Sequence, residues 1–112
     1  MEGPWRFVDQ GSVPDTGGDP AGETAETLAG VPGGPRVERI VSRGQASPPG
    51  FWYDQEEDEW VLLAAGTAIL ELEDGRRAMA AGEWLLLPAR RRHRLASVSA
   101  DAVWLAVFLP KG

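Results

Sequence analysis

Residues 59–88 read Glu59-Trp-Val-Leu-Leu-Ala-Ala-Gly-Thr-Ala-Ile-Leu-Glu-Leu-Glu-Asp-Gly-Arg-Arg-Ala-Met-Ala-Ala-Gly-Glu-Trp-Leu-Leu-Leu-Pro88. Short apolar or alternating runs follow one another here, each cut by a turn signal. Gly66 ends Glu59–Ala65, Asp74-Gly75 separates Thr67–Glu73 from Arg76–Ala80, Ala81-Gly82 comes next, and Pro88 closes Glu83–Leu87. These runs are too short for stable helices. An Asp-Gly pair between alternating residues is a strong hairpin signal, because type I′ turns need positive φ at both central positions. Four strands are therefore expected in thirty residues. The punctuation continues outward. Arg36–Arg43 is β-branched and partly alternating, and Gly44–Gly50 is a loop stiffened by Pro48-Pro49. Phe51–Gln55, Arg91–Val98 and Ala102–Leu109 complete the set. Strands at this spacing with no helix between them predict an all-β antiparallel sandwich or barrel. Several runs are apolar on both faces, such as Val103–Leu109, which implies two covered layers or a partner over the outer face.

Composition divides the chain near Arg36. The whole has 112 residues, enough for one domain, with 43% hydrophobic residues and a net charge of −6. Residues 1–35 hold 8 Gly, 5 Pro and six acidic residues against Arg6 as the one basic residue. A segment so poor in large apolar groups does not offset its ordering entropy. Residues 1–35 are therefore expected to be a flexible acidic leader with at most one short helix over 22–28, and residues 36–112 the folded body. Trp5, Phe7 and Val8 form a small apolar cluster that could dock as an added strand. The negative balance argues against a nucleic-acid partner, since phosphate neutralisation dominates that affinity. Cysteine is absent, which excludes disulfides, thiolate metal sites and a Cys nucleophile. The apolar run Ala102–Leu109 is far short of the ~20 residues of a membrane helix, and no secretory signal pattern opens the chain. A cytoplasmic location without membrane contact is expected.

The sharpest local charges are five carboxylates within Asp54–Glu59 and the run Arg90–Arg94, which contains His93, the one histidine of the chain. With strands on either side, Glu56-Glu57-Asp58 has to turn, so Tyr53, Gln55 and Glu59 can face the same way at short range. His93 comes from a distant strand and joins them only if the sheet curls over. Arg91 shares the parity of His93 along a strand and could clamp an anionic group. Trp52 could stack a flat ligand, although tryptophans more often anchor cores and interfaces.

These spacings resemble those of the cupin superfamily. Glu59, six residues, then Gly66 is similar to the second half of the first cupin motif. Gly82, five residues, Pro88 and then His93 five further on is similar to the second. The resemblance spans about residues 36–109 and includes a group of small single-domain bacterial cupins. It implies a single jelly-roll β-barrel with a pocket lined by the motif residues, and a homodimer. It also implies a divalent metal ion (zinc, iron, manganese or nickel) on Glu59, His93, Gln55 and Tyr53. Tyr53 and Gln55 stand where the family carries two histidines; Arg90 replaces a glycine and Ser97 an asparagine. An amide and a phenol are poorer ligands than imidazole, so any metal would be held weakly.

Three functions follow as expectations. One is a metal-dependent enzyme with Glu59 and His93 at the reacting centre. Another is a metal-free isomerase or epimerase in which Glu59 or His93 is the base and Tyr53 the acid. The third is a non-catalytic module that binds or senses a small molecule, with Arg91 and Trp52 contributing to the ligand site. A barrel of this type hosts many functions, so the fold does not choose among them.

Overall fold

The computed structural model describes Arg6–Phe7 and residues 23–44 and 46–110. All regular elements among these are strands: β1 Arg6–Phe7, β2 Thr24–Gly30, β3 Arg36–Val41, β4 Asp58–Ala65, β5 Thr67–Leu72, β6 Gly75–Ala80, β7 Trp84–Leu87, β8 His93–Val98 and β9 Val103–Leu109. They form a six-stranded sheet in the order β1-β2-β3-β9-β4-β7 and a three-stranded sheet in the order β6-β5-β8. Pairing is antiparallel throughout. The two sheets face each other as an open jelly roll, and no helix long or apolar enough to cross a membrane occurs among the described residues.

The hairpin forms, but one residue earlier than expected: Leu72 pairs with Gly75, so Glu73-Asp74 make the turn and Gly75, at φ 143°, opens β6. Gly66 has φ 84° between β4 and β5, and a Cβ there would lie 2.4 Å from Ser99 Oγ and 2.8 Å from Ala102 Cα. No side chain fits that close approach. Along β9 the even positions Trp104, Ala106 and Phe108 are buried while the odd ones are half-buried or exposed. The strand is apolar on both faces, but only one face lies in the core. That core joins Leu63 and Trp104 of the large sheet to Leu70 and Leu95 of the small one. Each buried leucine contributes roughly 2 kcal/mol.

Two expected elements differ. The possible helix over 22–28 is strand β2, paired with β3 from Thr24↔Val41 to Gly30↔Arg36 around a bulge. Its threonines suit a pleated surface, and a seven-residue helix would have had no apolar stripe to bury. The sheet therefore begins before Arg36. Mobility of the leader and the position of Trp5 and Val8 lie outside the described residues, whereas Phe7 belongs to β1, which pairs with β2. Phe51–Gln55 is not a strand. Pro48-Pro49 lack amide protons and Gly50 turns the chain at φ 81°, so only Tyr53 forms an isolated bridge, to His93. The segment nevertheless runs along β8, since Ser47 N–H donates to Leu95 O and Tyr53 N–H to His93 O.

Candidate functional site

Sheet register assembles the site. In the large sheet Arg36 pairs with Phe108, Phe108 with Glu59, and Glu59 with Leu87. These four side chains form one row on the inner face. The next row carries Glu38, Ala106 and Val61, and the one below it Ile40, Trp104 and Leu63. The small sheet supplies His93 and Leu95 from β8 and Leu70 from β5, and the segment along β8 adds Tyr53 and Gln55. Between the sheets lies a cavity of about 430 Å³, within the range of small-molecule pockets. Its lining is aliphatic at Ile40, Val61, Leu70, Leu87 and Leu95 and polar at Glu23, Arg36, Glu38, Gln55 and Glu59.

Glu59 and His93 are both buried, and Glu59 Oε1 lies 3.8 Å from His93 Nε2. That exceeds a hydrogen bond. His93 Nδ1 lies 3.1 Å from Arg91 O. A carbonyl only accepts, so Nδ1 carries the proton and Nε2 presents a lone pair toward Glu59. Gln55 Nε2 donates to Glu59 Oε1 at 3.0 Å. Tyr53 stacks on the His93 ring at 5.2 Å, and its hydroxyl donates to Glu23 Oε1. Burial pushes the Glu59 carboxyl up to about 7; the Gln55 amide and Arg36 oppose that rise, while Glu38 and Glu57 add to it. Burial also holds His93 below the usual imidazole range, against the hydrogen bond to Arg91 O. The two groups therefore meet without forming an ion pair at neutral pH: a carboxyl poised to gain or lose a proton, and a neutral imidazole.

The four expected residues Glu59, His93, Gln55 and Tyr53 thus line one cavity. They make a poor metal donor set. The Tyr53 hydroxyl is turned to Glu23 and Gln55 Nε2 to Glu59, which leaves one imidazole, one carboxylate and the weak amide oxygen of Gln55. No three His, Cys, Asp or Glu side chains converge among the described residues. Such a set would hold a divalent ion weakly.

Two expectations need correction. Arg91 does not enter the cavity; its guanidinium pairs with Asp74 at 2.8 Å, and only its backbone carbonyl serves the site, by holding His93. Strand parity fails because β8 starts at His93 and Arg90, at φ 66°, turns the chain just before it. Trp52 is also absent from the lining and lies under the Arg92 and Arg94 guanidinium groups. The residues that the reading overlooked are Arg36 and Glu38. Arg36 Nε donates to Glu38 at 2.8 Å and Nη1 to Glu57 at 2.5 Å, and the guanidinium covers the Phe108 ring at 4.2 Å. Their signal was present in the alternation of Arg36, Glu38 and Ile40 along β3.

No protein-family model matches the chain, and no curated protein does. Solved structures match well. A candidate mannose-6-phosphate isomerase from Ralstonia eutropha JMP134 is 41% identical, with a TM-score of 0.77 over 93% of this chain and 100% of that one. KdgF from Halomonas sp. is 19% identical, with a TM-score of 0.74 over 95% of this chain and 93% of that one. An RmlC-like cupin from Shewanella frigidimarina NCIMB 400 is 16% identical, with a TM-score of 0.72 over 95% and 89%. The last two are likenesses of fold alone. Together with the 41% identity across a whole related chain and the Glu59, Gly66, Gly82, Pro88 and His93 spacing, they show that this protein belongs to the cupin superfamily.

Proposed function

We propose that the cavity binds a small polyhydroxylated carbonyl compound, of the size of a monosaccharide, and that Glu59 and His93 move protons on it without a metal ion. The observation that carries this reading is the buried pair itself, a carboxyl raised to about 7 facing a neutral imidazole across 3.8 Å in the cavity between the sheets. A base works best when its pKa lies near the working pH. Ionised Glu59 takes the proton from the carbon next to the carbonyl and returns it to the former carbonyl carbon. His93 Nε2 accepts the neighbouring hydroxyl proton and passes it to the carbonyl oxygen. Every proton is accounted for, and the aldose becomes a ketose. The name of the 41% identical protein concerns the same class of reaction.

Incubating an aldohexose with the protein in deuterated water and following its proton spectrum tests the proposal. Deuterium should enter at the carbon next to the carbonyl, ketose signals should appear, and Glu59→Gln should abolish both. A sugar that binds with no exchange and no ketose contradicts catalysis and leaves a binding module.

A further inference from the structure

We propose that the pocket selects the uncharged sugar and rejects its phosphate ester. The proposal rests on the sugar reading above and concerns which form of sugar enters. Its basis is the state of the cation that faces the cavity. Among the described lining residues the one arginine is Arg36, and two carboxylates already hold it, Glu38 at 2.8 Å and Glu57 at 2.5 Å. A guanidinium between two carboxylates carries no net attraction for an anion; the triad as a whole is negative. The other arginines nearby lie outside the cavity: Arg90 pairs with Asp54, Arg91 with Asp74 and Arg94 with Glu71, while Arg92 lies over the Trp52 ring with no ion pair among the described residues. None of the four lines the cavity. His93, the remaining nitrogen base of the lining, keeps its Nδ1 proton on Arg91 O, and its burial favours the neutral ring.

A phosphate monoester brings nearly two negative charges at neutral pH. Inside this pocket it would meet the carboxyl groups of Glu38 and Glu59 and aliphatic side chains that cannot hydrate it. A neutral sugar meets the same surface favourably. Its hydroxyls donate to carboxylate oxygens, its ring oxygens accept from the Gln55 amide, and its apolar face rests on Leu70, Leu87 and Leu95. The acidic lining that excludes the ester is thus a set of acceptors for the free sugar.

His93 is the one histidine of the chain, so its ring resonances report on the pocket without ambiguity. We would titrate the protein at mildly alkaline pH with a free aldohexose, the same hexose 6-phosphate, and inorganic phosphate matched against sodium chloride. The free sugar should move the His93 signals, and the 6-phosphate should bind at least about tenfold more weakly because of like-charge juxtaposition. Inorganic phosphate should do no more than chloride. Glu57→Gln releases one carboxylate from Arg36, and should improve 6-phosphate binding several-fold while leaving the free sugar unchanged. Equal or tighter binding of the 6-phosphate to the unaltered protein overturns the inference, as does a phosphate-specific shift of His93. If neither sugar moves His93, the sugar reading fails. Charge selection is then judged on inorganic phosphate alone: silence in the unaltered protein with a response in Glu57→Gln supports it, and any other pattern refutes it.

Discussion

Glu59 is held in a place where a carboxylate is costly, and the cost should be measurable as stability. Its ordinary pKa of 4.5 rises to about 7 on folding because the carboxyl is buried. Below the ordinary value the group is protonated in both states and costs nothing. Between the two values the unfolded chain ionises while the folded one resists, so stability falls as pH rises. Above the folded value the full penalty of about 3 kcal/mol is in place. Glu59→Gln should therefore change little at about pH 4 and stabilise by up to about 3 kcal/mol at about pH 8, measured by urea unfolding. An equal effect at both values would contradict the burial argument. His93 has the opposite sign. Its pKa is lowered on folding, so its contribution is complete above 6.5 and fades as pH falls below it. Gln55→Leu removes the one amide that stabilises ionised Glu59 and should push its titration higher still, read from the pH dependence of sugar proton exchange. At this scale the sequence discloses the pair and its two companions, because motif spacing is local. Alternation along β3 puts Arg36 and Glu38 on one face, but not beside Glu59, which they reach only through the β3–β9–β4 register. Arg91 misleads because parity holds only inside a strand, and the strand begins two residues later.

At the scale of elements, turns are the most legible features, since positive φ and missing donors act on single residues. Gly66 is the strictest of them. Gly66→Ala would place a methyl group against Ser99 Oγ and the Ala102 backbone at a φ of 84°. It should destabilise by roughly 2–4 kcal/mol, read as a lower urea midpoint. Gly82→Ala, with φ 93° and open space around it, should cost less. A reversal of that order would show that the close approach is not what requires Gly66. Strand β2 illustrates what local pattern conceals. Thr24–Gly30 is weakly apolar, and its identity as a strand comes from the partner β3, to which it is bound across its length. Phe51–Gln55 shows the converse: its aromatic residues have strand propensity, but the prolines and Gly50 ahead of it allow no ladder. The convergence of Tyr53, Gln55 and Glu59 survives that error, because the turn through Glu56 and Glu57 is still needed to reach β4.

At the scale of the molecule, the large sheet has two apolar faces and only one small sheet to cover them. On its outer side Trp84 and Leu86 are 62% and 49% exposed at the edge strand β7, and Trp60 packs on Trp84 at 6.1 Å. Trp104, by contrast, faces the core. We propose a homodimer through the outer face around Trp60 and Trp84, because none of the described residues covers Trp84 and Leu86 there. Light scattering at micromolar concentration should give twice the chain mass, and Trp84→Asp should return it to the monomer; a monomeric unaltered protein would refute the dimer. The inner face carries the larger claim, that closing one sheet over the other buries Glu59 against a neutral His93 and so makes a base poised near neutral pH. The most direct test is a carbon-13 titration of the Glu59 side-chain carboxyl in the labelled protein, with Glu59→Gln to assign the signal. The account predicts a midpoint near 7. A midpoint at the ordinary 4.5 would mean that the carboxyl is solvated, and the acid–base site would not exist in the form described.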